Sequence, residues 1–291
     1  MVIYRTISKV VRLPTNLTYS LSRTAIGAEL LPLFNPSSSI HLPFLRPQSN
    51  TPHYEHHVPL NPFEQTFLAI GSALASLNNP YRGDMVAVLS ETTAGPFLKR
   101  LRDQMLEDES GRNLLRNRPR IRSSDINLPY LKSLSSGTFG RSYADWLDRC
   151  NVSPDTREPV RYIDSPELAY VMQRYRECHD FYHVIAGEFP VSVSGEVIVK
   201  WFELANMGLP VAALSAIFGP LRLSSNRRSR LLNTFVPWAL KCGSSSKPLI
   251  CIEWENHWEK DLKLLKQEIG IWDPPLDWNS WKMEEDKLRQ K

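Results

Sequence analysis

The sequence predicts a mostly α-helical protein built around a single helical domain. Three observations carry that expectation. Apolar residues recur at threes and fours through most of residues 56–272, the spacing of a helix with one greasy side. Helix punctuation recurs with them: capping Asn and Ser, prolines in first turns, glycines at ends. Strand-like alternation of period two is scarce, and no internal repeat is present.

Taken in order, residues 1–28 hold Arg5, Lys9, Arg12 and Arg23, many Ser and Thr, and short apolar groups, with no acid before Glu29. That composition reads as a mitochondrial presequence, because the apolar run of a secretory signal is missing. A disordered basic start to a cytosolic protein is the plainer alternative. Residues 29–55 are rich in Pro and Ser and read as linker. The helical domain then begins near residue 56. "NPFEQTFLAIGSALASL" opens with Asn61 as N-cap and Pro62 in the first turn. "GDMVAVLSETT" and "PFLKRLRDQMLEDESGRNLLRN" continue it. A looser polar stretch, residues 119–140, precedes "RSYADWLDRC". "SPELAYVMQRYRECHDFYHVIAG" starts at a capping Ser165 and stops at Gly187. "SGEVIVKWFELANMG", "PVAALSAIFGP", "SNRRSRLLNTFVPWALKCG" and "PLICIEWENHWEKDLKLLKQEIGI" follow. In the last of these, Trp254 and Trp258 read as core and His257 as surface. Residues 273–291 read as a polar tail.

Charge placement excludes one class of partner. The formal net charge is +4, and four basic residues stand before the first acid, so the rest of the chain is neutral. A neutral body has little to hold a phosphate backbone with, which argues against nucleic acid. No run reaches the ~18 apolar residues of a membrane span. Cys150, Cys178, Cys242 and Cys251 lack paired metal-ligand spacing and read as free thiols.

The chemistry concentrates in "HDFYHVIAGEFPVSVSGEVIVKWFE". Each helical residue turns 100°. With His179 at 0°, His183 falls at ~40° and Asp180 at ~100°, so the three share one sector. The chain breaks at Phe189-Pro190 and restarts at Gly195, with Glu196 in the first turn of the next helix. A helix hairpin would bring Glu196 back to the histidines. Imidazole nitrogen and carboxylate oxygen are usual ligands for zinc and similar divalent ions. Four polar groups in a greasy helix pair would be costly without such a partner. A lone core histidine is usually only hydrogen-bonded; two at helical spacing with two acids favour a metal. The pattern is not that of zincins, since Asp180 stands where H-E-x-x-H has its catalytic Glu. An H-D phosphohydrolase would need further distant His and Asp ligands, and His41, His53, His56 and His57 lie in or beside the linker. Other residues read more plainly: Arg174 and Glu177 as a surface pair, Glu188 as solvated. "NRRSR" reads as a solvated helix face that could touch anionic lipid beside the apolar residues 209–221.

"HDFYH" followed by "GEVIVKWFE" resembles the signature of the coenzyme Q (ubiquinone) biosynthesis protein 4 family. "NPYRGDMVAVLSETT", "RPRI", "VSPDTREP", "ELAYVMQRYRE", "FGPLRL", "PWAL" and "WEKDLKLLKQEIGI" match in the same order, so the resemblance spans roughly residues 57–271. The family pattern places eleven residues between the second His and the Glu; here residues 184–195 make twelve. A turn absorbs one residue with little change at the helix ends. The resemblance implies a helical protein on the matrix face of the mitochondrial inner membrane, within a multi-enzyme complex that builds ubiquinone. It implies a divalent metal, commonly zinc, held by His179, Asp180, His183 and Glu196. It further implies a carboxy-lyase: decarboxylation of 4-hydroxy-3-methoxy-5-polyprenylbenzoate to a 2-methoxy-6-polyprenylphenol. A general acid must deliver the ring proton, and a metal-bound water or Glu196 are the candidates. Residues 209–221 are the candidate lining for the polyprenyl tail. The alternative is a non-catalytic, polyprenyl-lipid-binding scaffold that organises the biosynthetic complex.

Overall fold

Asn61 accepts a hydrogen bond from the Glu64 N–H and receives the Glu64 carboxylate on its own N–H, and this capping box starts α1 (Pro62–Asn78). The computed structural model describes residues 51–79 and 82–289. The expected presequence and residues 29–50 of the expected linker lie outside the described residues. Among the described residues every regular element is helical, apart from one isolated antiparallel bridge between Thr138 and Asp261.

After α1 come α2 (Gly83–Thr93), α3 (Gly95–Glu107), α4 (Glu109–Asn117), α5 (Leu128–Ser133) and α6 (Phe139–Cys150). Then follow α7 (Pro166–Gly187), α8 (Val193–Met207), α9 (Pro210–Phe218) and α10 (Ser225–Ser245). The last two are α11 (Leu262–Ile269) and α12 (Trp278–Arg289). α1 packs on α2, α3 on α4 and α7, and α8 on α7, α9 and α10. The α8–α10 crossing is close because Gly243 has no side chain: an added Cβ would stand 2.5 Å from the Phe202 carbonyl oxygen.

α7 runs through the middle of the molecule, and every residue from Ala169 to Ala186 is buried. Such a helix is normally apolar all round. This one carries Gln173, Arg174, Arg176, Glu177, His179, Asp180 and His183, so each needs a partner from a different neighbour. Arg176 reaches Glu91 on α2 at 2.6 Å. Glu177 takes Arg120 at 2.6 Å and the Ile121 N–H at 2.9 Å. Arg174 holds both carboxylate oxygens of Glu255. Arg174 and Glu177 therefore do not form the expected surface pair. Both are buried, because α7 is enclosed on all sides, and each is satisfied by tertiary contacts that sequence spacing cannot reveal.

Three other expectations are corrected. Residues 248–271 do not form one amphipathic helix: two single 3₁₀ turns, Leu249–Cys251 and Trp254–Asn256, precede α11, which starts only where Asp261 caps it. Trp254 is fully buried and Trp258 stacks on Phe139 at 5.4 Å, so the break serves to wedge two indoles into the core. Residues 119–140 contain α5, started by Asn127. The helical unit also extends past residue 272, because the tail forms α12, whose Trp281 is buried and stacks on Trp278 at 5.1 Å.

Candidate metal centre

The α7–α8 hairpin forms where the sequence predicts it. Ser165 caps α7 and Ser192 caps α8. Between them Glu188 adopts the left-handed conformation (φ 54°) and closes α7 with its N–H on Val184. Gly195 lets α8 restart tightly, since an added Cβ would lie 2.1 Å from the Pro190 carbonyl oxygen.

That turn returns Glu196 to α7 with all twelve intervening residues accommodated. Its Oε2 lies 3.2 Å from His179 Nε2 and its Oε1 3.3 Å from His183 Nε2. The two imidazole Nε2 atoms are 3.2 Å apart. The ligand atoms of these three residues all lie within 4.8 Å of one another. The other ring nitrogens fix the tautomers. His183 Nδ1–H donates to the Phe189 carbonyl at 2.9 Å, and the same carbonyl receives the Trp146 indole N–H at 2.8 Å. His179 Nδ1–H donates to Glu203. Both Nε2 lone pairs therefore face each other and a carboxylate. Three electron-rich atoms converging in a buried site repel unless a cation sits among them. Nitrogen and oxygen donors of this kind fit zinc or a similar divalent ion.

Glu203 is the residue that the sequence reading missed. It is fully buried, accepts Tyr175 O–H at 2.6 Å, and pairs with Lys200 at 2.8 Å. A carboxylate behind a ligating imidazole is a recurrent support for metal sites. A signal existed: Glu196, Lys200 and Glu203 stand four and three residues apart and so share one face of α8.

Asp180 is not among the three residues whose ligand atoms gather within 4.8 Å of one another. Its position on α7, 100° round from His179, turns it toward the loop before α7, where Arg157 takes one carboxylate oxygen. The other oxygen, Oδ2, is buried with no partner among the described residues. Of the linker histidines, His57 pairs with Asp164 at 3.2 Å, and neither it nor His53 nor His56 joins the group. His41 lies outside the described residues. His257, expected at the surface, is half-buried, and burial lowers its pKa. Glu188, expected to be solvated, is half-buried and paired with Arg149 at 2.8 Å.

The electrostatics follow from this packing. Burial pushes the Glu196 carboxyl up, but His183 and His179 outweigh it and hold the group well below the usual carboxylate range. Burial likewise pushes Glu203 up, and Lys200 and His179 bring it down to about 2. Burial and Lys200 lower His179, and Glu203 and Glu196 overcome them to raise it. Glu196 keeps 34% of its side chain exposed, whereas His183 is fully buried. The centre thus opens to its surroundings on the Glu196 side.

Residues 54–275 match the family model described as coenzyme Q (ubiquinone) biosynthesis protein Coq4. Among similar proteins, the mitochondrial ubiquinone biosynthesis protein COQ4 of Laccaria bicolor is 60% identical over 225 residues, 77% of this chain and 75% of the relative. Its counterpart in Coprinopsis cinerea is 58% identical over 224 residues, 77% of each chain. That of Aspergillus terreus is 51% identical over 259 residues, 86% of this chain and 88% of the relative. A crystal structure from Nostoc punctiforme shares the fold with a TM-score of 0.57 at 22% identity, covering 70% of this chain and 97% of that one.

Proposed function

Because the chain belongs to the Coq4 family of coenzyme Q (ubiquinone) biosynthesis proteins, we propose that its His179–His183–Glu196 centre serves a metal-dependent carboxy-lyase of that pathway. The substrate in this reading is 4-hydroxy-3-methoxy-5-polyprenylbenzoate and the product a 2-methoxy-6-polyprenylphenol. The setting is the matrix side of the mitochondrial inner membrane, among other ubiquinone-biosynthesis enzymes. The observation that carries the reading is the convergence of two bare imidazole nitrogens and a carboxylate in a buried site.

His179, His183 and Glu196 would hold a divalent ion, zinc above all, and Asp180 would add its uncommitted Oδ2. Bound there, the ion would supply a Lewis acid to anchor the substrate's carboxylate or phenolate and to stabilise the charge that develops. The substrate's own chemistry sets the remaining needs. Its phenol oxygen is para to the carboxylate, so deprotonation pushes electron density onto the carboxyl-bearing carbon. A proton added there gives a dienone, which loses carbon dioxide and regains aromaticity. Glu196 takes a ligand's part in this reading, because its two carboxylate oxygens face the Nε2 atoms of both imidazoles. Glu203 orients His179 through Nδ1 and leaves Nε2 facing the centre.

The test is direct. Purified protein is assayed for metal content, then incubated with the prenylated acid with and without chelator, and the product is identified by mass. Stoichiometric divalent metal and chelator-sensitive loss of carbon dioxide are the expected results. A His183→Ala protein that holds no metal yet still sustains ubiquinone synthesis in cells would favour the non-catalytic scaffold.

A further inference from the structure

The loop before α7 is built to hold one side chain still. Its single 3₁₀ turn, Pro154–Thr156, is capped by Ser153, and Pro154 is buried. The Asp155 carboxylate accepts the Ser123 N–H at 2.9 Å, and the Glu158 carbonyl accepts the Arg176 guanidinium from α7 at 3.1 Å. Arg157 stands between these two anchors. A side chain on so braced a support can take a ligand at little ordering cost.

That side chain reaches the candidate metal centre. Its Nη2 donates to Asp180, the neighbour of His179, while its Nε is buried with no partner among the described residues. Burial lowers the Arg157 pKa, and Asp180 and then Glu196 overcome it, so the guanidinium lies within electrostatic reach of the carboxylate on the open side. Arg157 keeps 29% of its side chain exposed, whereas Asp180 keeps 1%. The guanidinium thus belongs to the mouth of the centre, with Glu196. Tyr143 of α6 adds a fully buried hydroxyl with no partner among the described residues. Burial and then Asp180 push that hydroxyl up, and Arg157 opposes them, so the three groups act on one another. Lys200 is committed elsewhere: it pairs with Glu203 at 2.8 Å and lies 3.3 Å from His179 Nδ1, on the side of the ring turned away from Nε2.

Charge balance names the ligand. Asp180, Glu196 and Glu203 bring three negative charges to the centre, and Arg157 and Lys200 two positive ones. With neutral imidazoles one negative charge is left over, and a divalent ion would turn it into one positive. A monoanion cancels that charge; a neutral phenol does not. A guanidinium with a donor to spare is a strong receptor for a carboxylate. We propose that Arg157, helped by the Tyr143 hydroxyl, binds the carboxylate of an aromatic acid at this mouth and so selects the acid over its neutral product. The carboxylate draws the acid in, and once it has left as carbon dioxide nothing holds the product to Arg157. The choice of ligand rests on the carboxy-lyase reading above.

Calorimetry on the zinc-loaded full chain tests the site, with 3-methoxy-5-geranylbenzoate and its methyl ester as probes. The probe acid lacks the phenol, so the route above cannot consume it and binding is read without turnover. The unaltered protein should prefer the acid to the ester at least about tenfold. Arg157→Gln should bring the ratio close to one. Arg157→Lys should lower it about fivefold, because one ammonium does not replace a planar fork, and Tyr143→Phe about threefold. Zinc content is measured on every sample. Arg157→Lys keeps a charge opposite Asp180, and Tyr143→Phe deletes a hydroxyl that bonds to no other residue, so these two decide the matter if Arg157→Gln loses its zinc or its fold. An undiminished ratio in both, with zinc retained, would make Arg157 a prop for Asp180 alone and overturn the proposal. So would equal binding of acid and ester by the unaltered protein. An Arg157-dependent preference in a protein that never releases carbon dioxide from the 4-hydroxy acid would sink the carboxy-lyase and leave the anion site standing. Carbon dioxide release with an unchanged KM in all three variants would do the reverse.

Discussion

At the scale of single residues, Glu203 decides how well the centre is built. It is fully buried, fixes the tautomer of His179, and is itself held by Tyr175 and Lys200. Glu203→Gln keeps the hydrogen bond's geometry without the charge, and Glu203→Leu removes both. Zinc affinity should fall about 10- to 100-fold for Leu and by less for Gln, measured by competition with a chromophoric chelator. The same carboxylate has a signature in the metal-free protein. Its folded pKa of about 2 lies below the unfolded 4.5. A depressed acid contributes stability that is complete above the unfolded pKa and is lost as pH falls toward the folded one. The contribution is about 3 kcal/mol, and it disappears between pH 4.5 and 2. Urea titrations of chelator-treated protein should show that acid limb, and Glu203→Gln should flatten it. An unchanged limb in the variant would remove Glu203 from the account. His179, His183 and Glu196 were legible because a 3.6-residue period puts two imidazoles on one face and a Pro break returns the chain. The ion pair between Arg157 and Asp180 was not, since nothing in a loop some twenty residues upstream announces where its guanidinium will point.

At the scale of elements, the hairpin depends on a turn with no room in it. Gly195 follows the capping Ser192 and sits against the Pro190 carbonyl, and Glu196 comes next. Gly195→Ala gains helix propensity, worth about 1 kcal/mol at an unconstrained site. Here the new methyl would meet backbone at 2.1 Å, so the start of α8 must move. Overpacking of this kind costs about 1–3 kcal/mol. The prediction is a lower melting temperature together with weakened metal binding, because any shift of α8's first turn carries Glu196 away from both imidazoles. A variant that loses stability but keeps full zinc affinity would show that the turn and the site are uncoupled. The helices that sequence placed well, α1, α7 and α8, have caps and apolar periodicity in agreement. Those it placed badly lack that agreement. The segment before α11 contains helix-compatible residues, yet burying Trp254 and packing Trp258 against Phe139 breaks it into turns. α12 looks like a polar tail because the sequence around its two tryptophans is mostly polar, yet Trp281 is buried and stacks on Trp278.

At the scale of the whole molecule, α7 explains why the centre and the fold should respond together. It is enclosed along its length and tied by charge to α2 through Glu91, to the segment before α5 through Arg120, and to the turn before α11 through Glu255. Buried pairs of this kind give little net stability against an apolar core, but breaking one costs about 3–5 kcal/mol. They therefore fix the rotation of α7 and, with it, the direction in which His179 and His183 point. A metal bound between α7 and α8, as proposed, would add one more tie, and that tie would exist only in the folded chain. Binding to the native state alone stabilises by about 4 kcal/mol when free metal exceeds the dissociation constant a thousandfold. For a domain of this size that corresponds to a rise in melting temperature on the order of 10 °C. Zinc added to chelator-treated protein should raise the midpoint of a single cooperative transition by that amount, and His183→Ala should abolish the rise. If the site were a local surface feature, metal would instead sharpen only part of the unfolding curve. Two separable transitions would then contradict a centre built into the core helix.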